Sequence, residues 1–229
     1  MTTSHWKAVL MVVAGIAIPM IVLVVYTLAA NRLSPQERTA QMPGDAWIPT
    51  AMFATTQALT IKAPRERVWS WIAQMGAGRA GWYSYDFVDN GGTPSATVVL
   101  TEFQKIATGD LLPAVPGATD GFIVLAVDPP NSLVLGGPPD SLRGQRATWA
   151  FLLTPVGGAA TRLIVRGRVA EHWLTAAPPT DPAKPRFFIQ RIYGFMAHLP
   201  KPVLLGFAGF GHRVMQNEQL RGLKRRAER

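Results

Sequence analysis

The sequence predicts an α+β domain, an antiparallel sheet met by a long C-terminal helix, preceded by one N-terminal transmembrane helix. Three observations predict it. Ala8 to Ala30 reads AVLMVVAGIAIPMIVLVVYTLAA, an uncharged run bounded by Lys7 and Arg32. Between Thr97 and Val169 several short strand-like segments follow one another across turn residues, too close together for helical crossovers. From Pro202 to Arg226, Val203, Phe207, Phe210 and Val214 recur at helical spacing.

The first run is long enough to cross a bilayer, which needs roughly 20 apolar residues in helical form. Pro19 is tolerable there, and Trp6 and Tyr26 lie near the ends, where aromatic rings favour the interface. A cleaved signal peptide is the rival, with Lys7 as its basic flank, but signal cores are usually ~7–15 residues long. Residues 1–30 are therefore read as a cell-membrane anchor. The flanking charges, Lys7 and the α-amino group against Arg32 and Arg38, are almost balanced and lean to a cytoplasmic domain.

Residues 31–54 contain Pro35, Pro43, Gly44 and Pro49 among polar residues and read as a juxtamembrane linker. The domain then occupies 55–229. Thr56 to Ala63 alternates like a strand, and Pro64 opens PRERVWSWIAQMG, where Val68, Trp69, Ile72 and Met75 fall on one helical face. Strands are expected over Thr97–Phe103, Gly121–Asp128, Ser132–Gly137, Ala147–Thr154 and Thr161–Val169, with hairpin connections at Asp128–Asn131 and Pro155–Gly158. Ala177 to Pro185 is Pro-rich and reads as a loop, followed by a short helix in RFFIQRIYGFMAHL and then the long one.

Composition narrows the chemistry. There is no cysteine, so disulfides, thiolate metal sites and cysteine nucleophiles are excluded. Net charge is +9, almost all of it beyond the hydrophobic run, which suits an anionic surface. No nucleic-acid recognition motif accompanies it, whereas an anchor places the domain beside acidic lipid. The four histidines, His5, His172, His198 and His212, form no spaced ligand set, so no metal is expected. Neither a G-x-S-x-G elbow nor a phosphate-cradling glycine loop is present, and no cofactor is expected.

In Ile61–Gly76, Gly78–Asp86 (GRAGWYSYD), Ala107–Pro113 (ATGDLLP), Trp149–Arg168 and Leu220–Glu228, in that order, the sequence resembles the START/polyketide-cyclase-like superfamily, often called SRPBCC. That resemblance implies a helix-grip fold, in which a curved antiparallel sheet wraps a long C-terminal helix around an apolar cavity. Across the superfamily such cavities hold lipids, sterols, polyketides and other hydrophobic ligands. Binders, cyclases and hydratases all occur, so function rests on the site.

Trp82, Tyr83, Tyr85, Trp149, Phe207 and Phe210 are the expected ligand-binding residues, with Asp86, Tyr85 and Tyr83 as candidates for acid/base chemistry. The simpler alternative makes the aromatic cluster core packing and Asp86 a cap on a loop amide. Arg162, Arg166 and Arg168 alternate along one strand and read either as an anion-binding row or, more simply, as a solvated outer face. The tail from Arg221 to Arg229 holds five positive charges against one negative. It is either a solvated helix end or a second contact with an anionic leaflet.

The expected function is membrane-tethered binding of a hydrophobic small molecule or lipid rather than catalysis. A cyclase- or hydratase-type enzyme and an accessory subunit of a larger membrane complex are the rivals. Expected partners are membrane lipids, the ligand and a possible membrane protein, with no nucleic acid.

Overall fold

The computed structural model describes residues 33–118, 121–137, 144–172 and 200–229. The hydrophobic run 8–30, the Pro-rich loop and the short helix expected after it lie outside the described residues. Among the described residues no helix is long and apolar enough to cross a membrane.

In chain order the elements are α1 (Pro35–Thr39), β1 (Phe53–Ile61), α2 (Arg65–Ala73), α3 (Asp86–Asp89), β2 (Leu111–Pro113), β3 (Gly121–Asp128), β4 (Ser132–Gly136), β5 (Ala147–Val156), β6 (Ala160–Val169) and α4 (Lys201–Ala227). The strands form one antiparallel sheet in the order β1-β6-β5-β4-β3-β2. β3 to β6 make a meander, and the first strand pairs with the last, Thr55 opposite Gly167 and Leu59 opposite Leu163. With α4 laid along β1 on one face, this is a helix-grip-like arrangement.

Strand alternation divides the sheet chemically. Ile61, Leu163, Val165, Phe151, Leu153, Leu133 and Leu135 point to the inner face, where Val68, Trp69, Trp71 and Ile72 of α2 and Leu220 and Leu223 of α4 complete the main core. Ala58, Val134, Ala150 and Ile164 point outward into a smaller core with Met42.

That outer core corrects the reading of residues 31–54 as a linker. From Leu33 onward the segment is a strap bound across the outer face. Ser34 and Glu37 form a reciprocal capping box at α1, and Met42 and Ile48 are buried. Gly44, with φ +97°, turns the strap so tightly that an added Cβ would lie 3.1 Å from Val134.

The arginine row is accordingly neither a solvated face nor vacant. Arg162 grips both oxygens of Glu37, at 2.7 and 3.0 Å. Arg166 reaches Asp45 at 2.7 Å and also bonds Thr56 Oγ1 and the Ala40 carbonyl. Arg168 donates to the carbonyls of Ile48 and Pro49. The hydrogen bonds from Arg162 hold the Glu37 carboxyl below its ordinary pKa. Polar outward positions signalled exposure, but their partners come from a distant, Pro-broken segment.

Thr97–Phe103 also departs from expectation: it is an irregular stretch ending in a 3-10 turn over Thr101–Phe103. Its backbone is held by a side chain, with Leu100 N–H donating to Gln74 Oε1 and Gln74 Nε2 donating to the Val98 carbonyl. The outermost strand is instead Leu111–Pro113, which buries Leu112. At the C-terminus the basic tail is partly used internally. Lys224 donates to the Thr60 carbonyl, and Arg226 donates to the Ala96 carbonyl while lying over the Tyr83 ring.

Replacing Asp45 by Ala leaves the buried Arg166 guanidinium without its carboxylate. The expected result is a loss of about 3 kcal/mol in chemical denaturation, with faster proteolytic cleavage between Arg38 and Pro49. Unchanged stability together with unchanged cleavage would contradict a bound strap.

Candidate functional site

The inner face runs from an apolar end to an aromatic and polar end. At the apolar end Leu220 and Leu223 of α4 are fully buried against the sheet. At the other, Trp149 of β5 lies between Trp82 and Phe151, with ring centroids 5.4 and 5.0 Å away. Phe122 of β3 completes the group, 5.4 Å from both tryptophans. Trp82 is fixed by a 3.1 Å hydrogen bond from its indole to the Ala114 carbonyl.

Polar groups of α4 stand over these rings. The Trp149 indole donates to Gln216 Oε1 at 2.7 Å, Gln216 Nε2 donates to Gln219 Oε1 at 2.8 Å, and Gln219 Nε2 reaches the Met75 sulfur at 3.7 Å. His212, one turn before Gln216, approaches Trp149 edge-on at 6.4 Å. It fits because Gly167 lies beneath it: a Cβ there would be 3.0 Å from His212 Nε2. Burial, reinforced by the neighbouring Arg213 charge, pushes the imidazole down to about 4, so it is neutral at physiological pH. Gln57 on β1 donates from Nε2 to the Arg213 carbonyl, and its buried Oε1 has no hydrogen-bond partner among the described residues.

Of the expected ligand residues, the structure brings Trp82 and Trp149 together. Tyr83 is instead enclosed in the core, with φ +61°, edge-on to Trp71, its hydroxyl accepting from Gln74 at 2.8 Å. Gly222 permits this, since a Cβ there would be 2.1 Å from the Tyr83 carbonyl. Burial raises the Tyr83 hydroxyl pKa well above its ordinary value. Tyr85 is exposed, with its pKa raised by partial burial and the nearby Glu218. On α4 Phe210 is half-buried and Phe207 is 55% exposed.

Asp86 caps a loop. Its carboxylate accepts from both the backbone N–H and the hydroxyl of Ser95. The perturbed carboxyl of this segment is Asp89, which burial and the adjacent Asp86 charge push up to about 7; its Oδ1 is buried without a partner among the described residues. Among those residues no cluster of three metal-ligating side chains exists.

A cleft of about 490 Å³ lies on the other side of the sheet, between the strap and strands β1 and β6. Sequence reasoning missed both this cleft and the polar partners of the rings. His212, Gln216, Gln219 and Leu223 follow one another at helical spacing, a face that alternates into polarity. That spacing was a readable signal for the second.

No family model matches the sequence, and no curated protein matches it. Solved structures do. The polyketide-cyclase-like protein Cgl2372 from Corynebacterium glutamicum is 12% identical, with 78% of this chain and 92% of that one covered at a TM-score of 0.40. The self-sacrificing resistance protein CalC from Micromonospora echinospora is 12% identical, over 76% and 94% of the two chains, at 0.35. The di-domain ARO/CYC BexL of the BE-7585A biosynthetic pathway is 12% identical over 77% of this chain and 50% of its own, at 0.40. Identities this low say nothing of a shared chemistry.

The Asp89 carboxyl yields a pH prediction. Its folded pKa lies above the unfolded value of 3.8, so ionisation favours the unfolded chain. Stability therefore falls as pH rises from about 4 to 7 and levels off above. Asp89→Asn should flatten that fall and raise stability at pH 8 by about 1–2 kcal/mol, the half-buried position screening the rest. Denaturant titrations at pH 5 and pH 8 measure it; identical slopes for both proteins would refute the assignment.

Proposed function

We propose that this protein is a membrane-tethered member of the START/polyketide-cyclase-like superfamily that binds a hydrophobic small molecule or lipid between its inner sheet face and α4. The observation that carries the reading is the aromatic group of Trp82, Phe122 and Trp149 at the polar end of the grip. Its rings offer flat apolar contact, while Gln57 Oε1 and the neutral His212 offer hydrogen bonding without a charge to desolvate.

A binder is favoured over a cyclase or hydratase by how the acid/base candidates are engaged. Asp86 is occupied by Ser95, Tyr83 is locked in the core, and Tyr85 is at the surface. His212, neutral with a strongly lowered pKa, is a weak base. The accessory-subunit reading draws on Val203 and Phe207, both exposed on the first turns of α4. Tethering rests on the length and lack of charge of residues 8–30, with the domain on the cytoplasmic side and membrane lipids as its neighbours.

Two measurements test the reading. A solvatochromic lipid probe should bind the full-length protein, and Trp149→Ala should weaken that binding about tenfold, the scale of losing one aromatic contact surface. Equal binding by both proteins would remove the inner face as the site. Carbonate extraction should leave the protein in the membrane fraction; recovery of a soluble domain with its N-terminus near Ala30 would identify residues 8–30 as a cleaved leader.

A further inference from the structure

We propose that the outer-face cleft is a second binding site, specific for a phosphate group, supplied by an anionic lipid headgroup. The site is distinct from the inner face and lies across the sheet from it. One wall is the strap, with Arg38, Thr39, Ala40, Gln41, Asp45 and Ala46; the other is the sheet, with Ala54, Thr56, Arg166 and Arg168. Its volume, about 490 Å³, is within the range of small-molecule sites.

The lining holds three guanidiniums and one carboxylate. Asp45 is already committed, accepting from Arg166 and from the Met42 backbone N–H, so positive charge is left over. Arg166 donates to Thr56, Ala40, Asp45 and the Glu37 carbonyl and serves as a fixed element of the wall. Arg168 spends Nε and one terminal nitrogen on strap carbonyls and meets Asp45 only at 3.6 Å with the other. Arg38 is exposed, and while its backbone N–H donates to the Ser34 carbonyl, its guanidinium makes no hydrogen bond or ion pair among the described residues. Thr56 Oγ1 accepts from Arg166, which leaves its own proton to donate.

The cleft thus presents unspent donors from both walls: the Arg38 fork from the strap, and Arg168 with the Thr56 hydroxyl from the sheet. An anion with several acceptor oxygens can bridge them, and a tetrahedral phosphate matches guanidinium forks in two directions at once. The source follows from chain position. The strap begins at Leu33, three residues after the apolar run ends at Ala30, and three residues can span at most about 10 Å. On the tethered reading, the short link keeps the strap, and with it the cleft, on the membrane-proximal part of the domain, where anionic headgroups are the nearest source of phosphate.

The test uses full-length protein in nanodiscs of phosphatidylcholine alone or mixed with phosphatidylglycerol. Native mass spectrometry reads the retained lipid and thermal unfolding reads stability. The wild type should retain phosphatidylglycerol preferentially, and Arg38→Glu should lower that retention about tenfold, as expected for loss of a charge-assisted contact. Arg67→Glu, an equal charge change at an exposed position of α2, should behave as the wild type, which separates the cleft from general attraction to a basic surface.

Millimolar inorganic phosphate forms the second arm, in phosphatidylcholine discs. Stabilisation of the wild type but not of Arg38→Glu, without lipid preference, would keep the phosphate site and overturn its lipid source. Arg38→Glu matching the wild type in both arms would overturn the site. Loss of probe binding at the inner face bears on the other site alone, so the two readings fail separately.

Discussion

Pairing of β1 with β6 is the constraint on which the rest of the molecule depends. It joins the start of the domain to the end of its meander, and so sets the entropic cost of closing the whole segment between Ile61 and Thr161 against one ladder of backbone hydrogen bonds. Once made, it fixes the positions of both coverings. The strap arrives at Phe53 directly into β1, and α4 runs beside that strand. Its course is marked by Gly209 against Phe53, Arg213 bonded to Gln57 and Lys224 bonded to Thr60. Glycine at 209 lets the helix pass close to the Phe53 ring, which a Cβ would meet at 2.5 Å and displace.

The two faces of the sheet solve the same burial problem by different chemistry. Inside, apolar side chains do most of the work, and the few polar ones are tied in pairs: Trp149 to Gln216, Gln216 to Gln219, Gln57 to a helix carbonyl. Outside, three arginines on one strand would repel one another and leave their stems uncovered. The strap supplies Glu37, Asp45 and a row of carbonyls, turning a charged ladder into a partly buried polar interface. Such pairs add little net stability compared with apolar packing, but they specify one register for the strap.

Gln74 shows how one buried side chain can replace a strand. Fully enclosed at the end of α2, it bonds the Tyr83 hydroxyl, the Val98 carbonyl, the Leu100 amide and Gln104. The segment after α3 therefore needs no ladder partner, and Val98 and Val99 stay exposed. The same hub holds Tyr83 in the core, which removes that ring from any ligand site and leaves Trp82 beside Trp149.

Local pattern was sufficient for most of the elements. Alternation located β3 to β6 and their hairpins, the stripe after Pro64 located α2, and the Pro202–Arg226 stripe lies within a helix spanning Lys201–Ala227, because periodicity records which side of an element is buried. It does not record what buries it. TVVLTEF has strand-like composition, yet Gln74 satisfies its backbone from outside. The strap has linker composition, yet Glu37 and Asp45 find arginines far along the chain. The candidate site divided in the same way: aromatic rings and a carboxylate could be named from the sequence. Only the fold decided that Trp82 meets Trp149, that Tyr83 turns into the core and that Asp86 is spent on Ser95. Those outcomes depend on contacts between residues remote in sequence, and such contacts have no periodic trace.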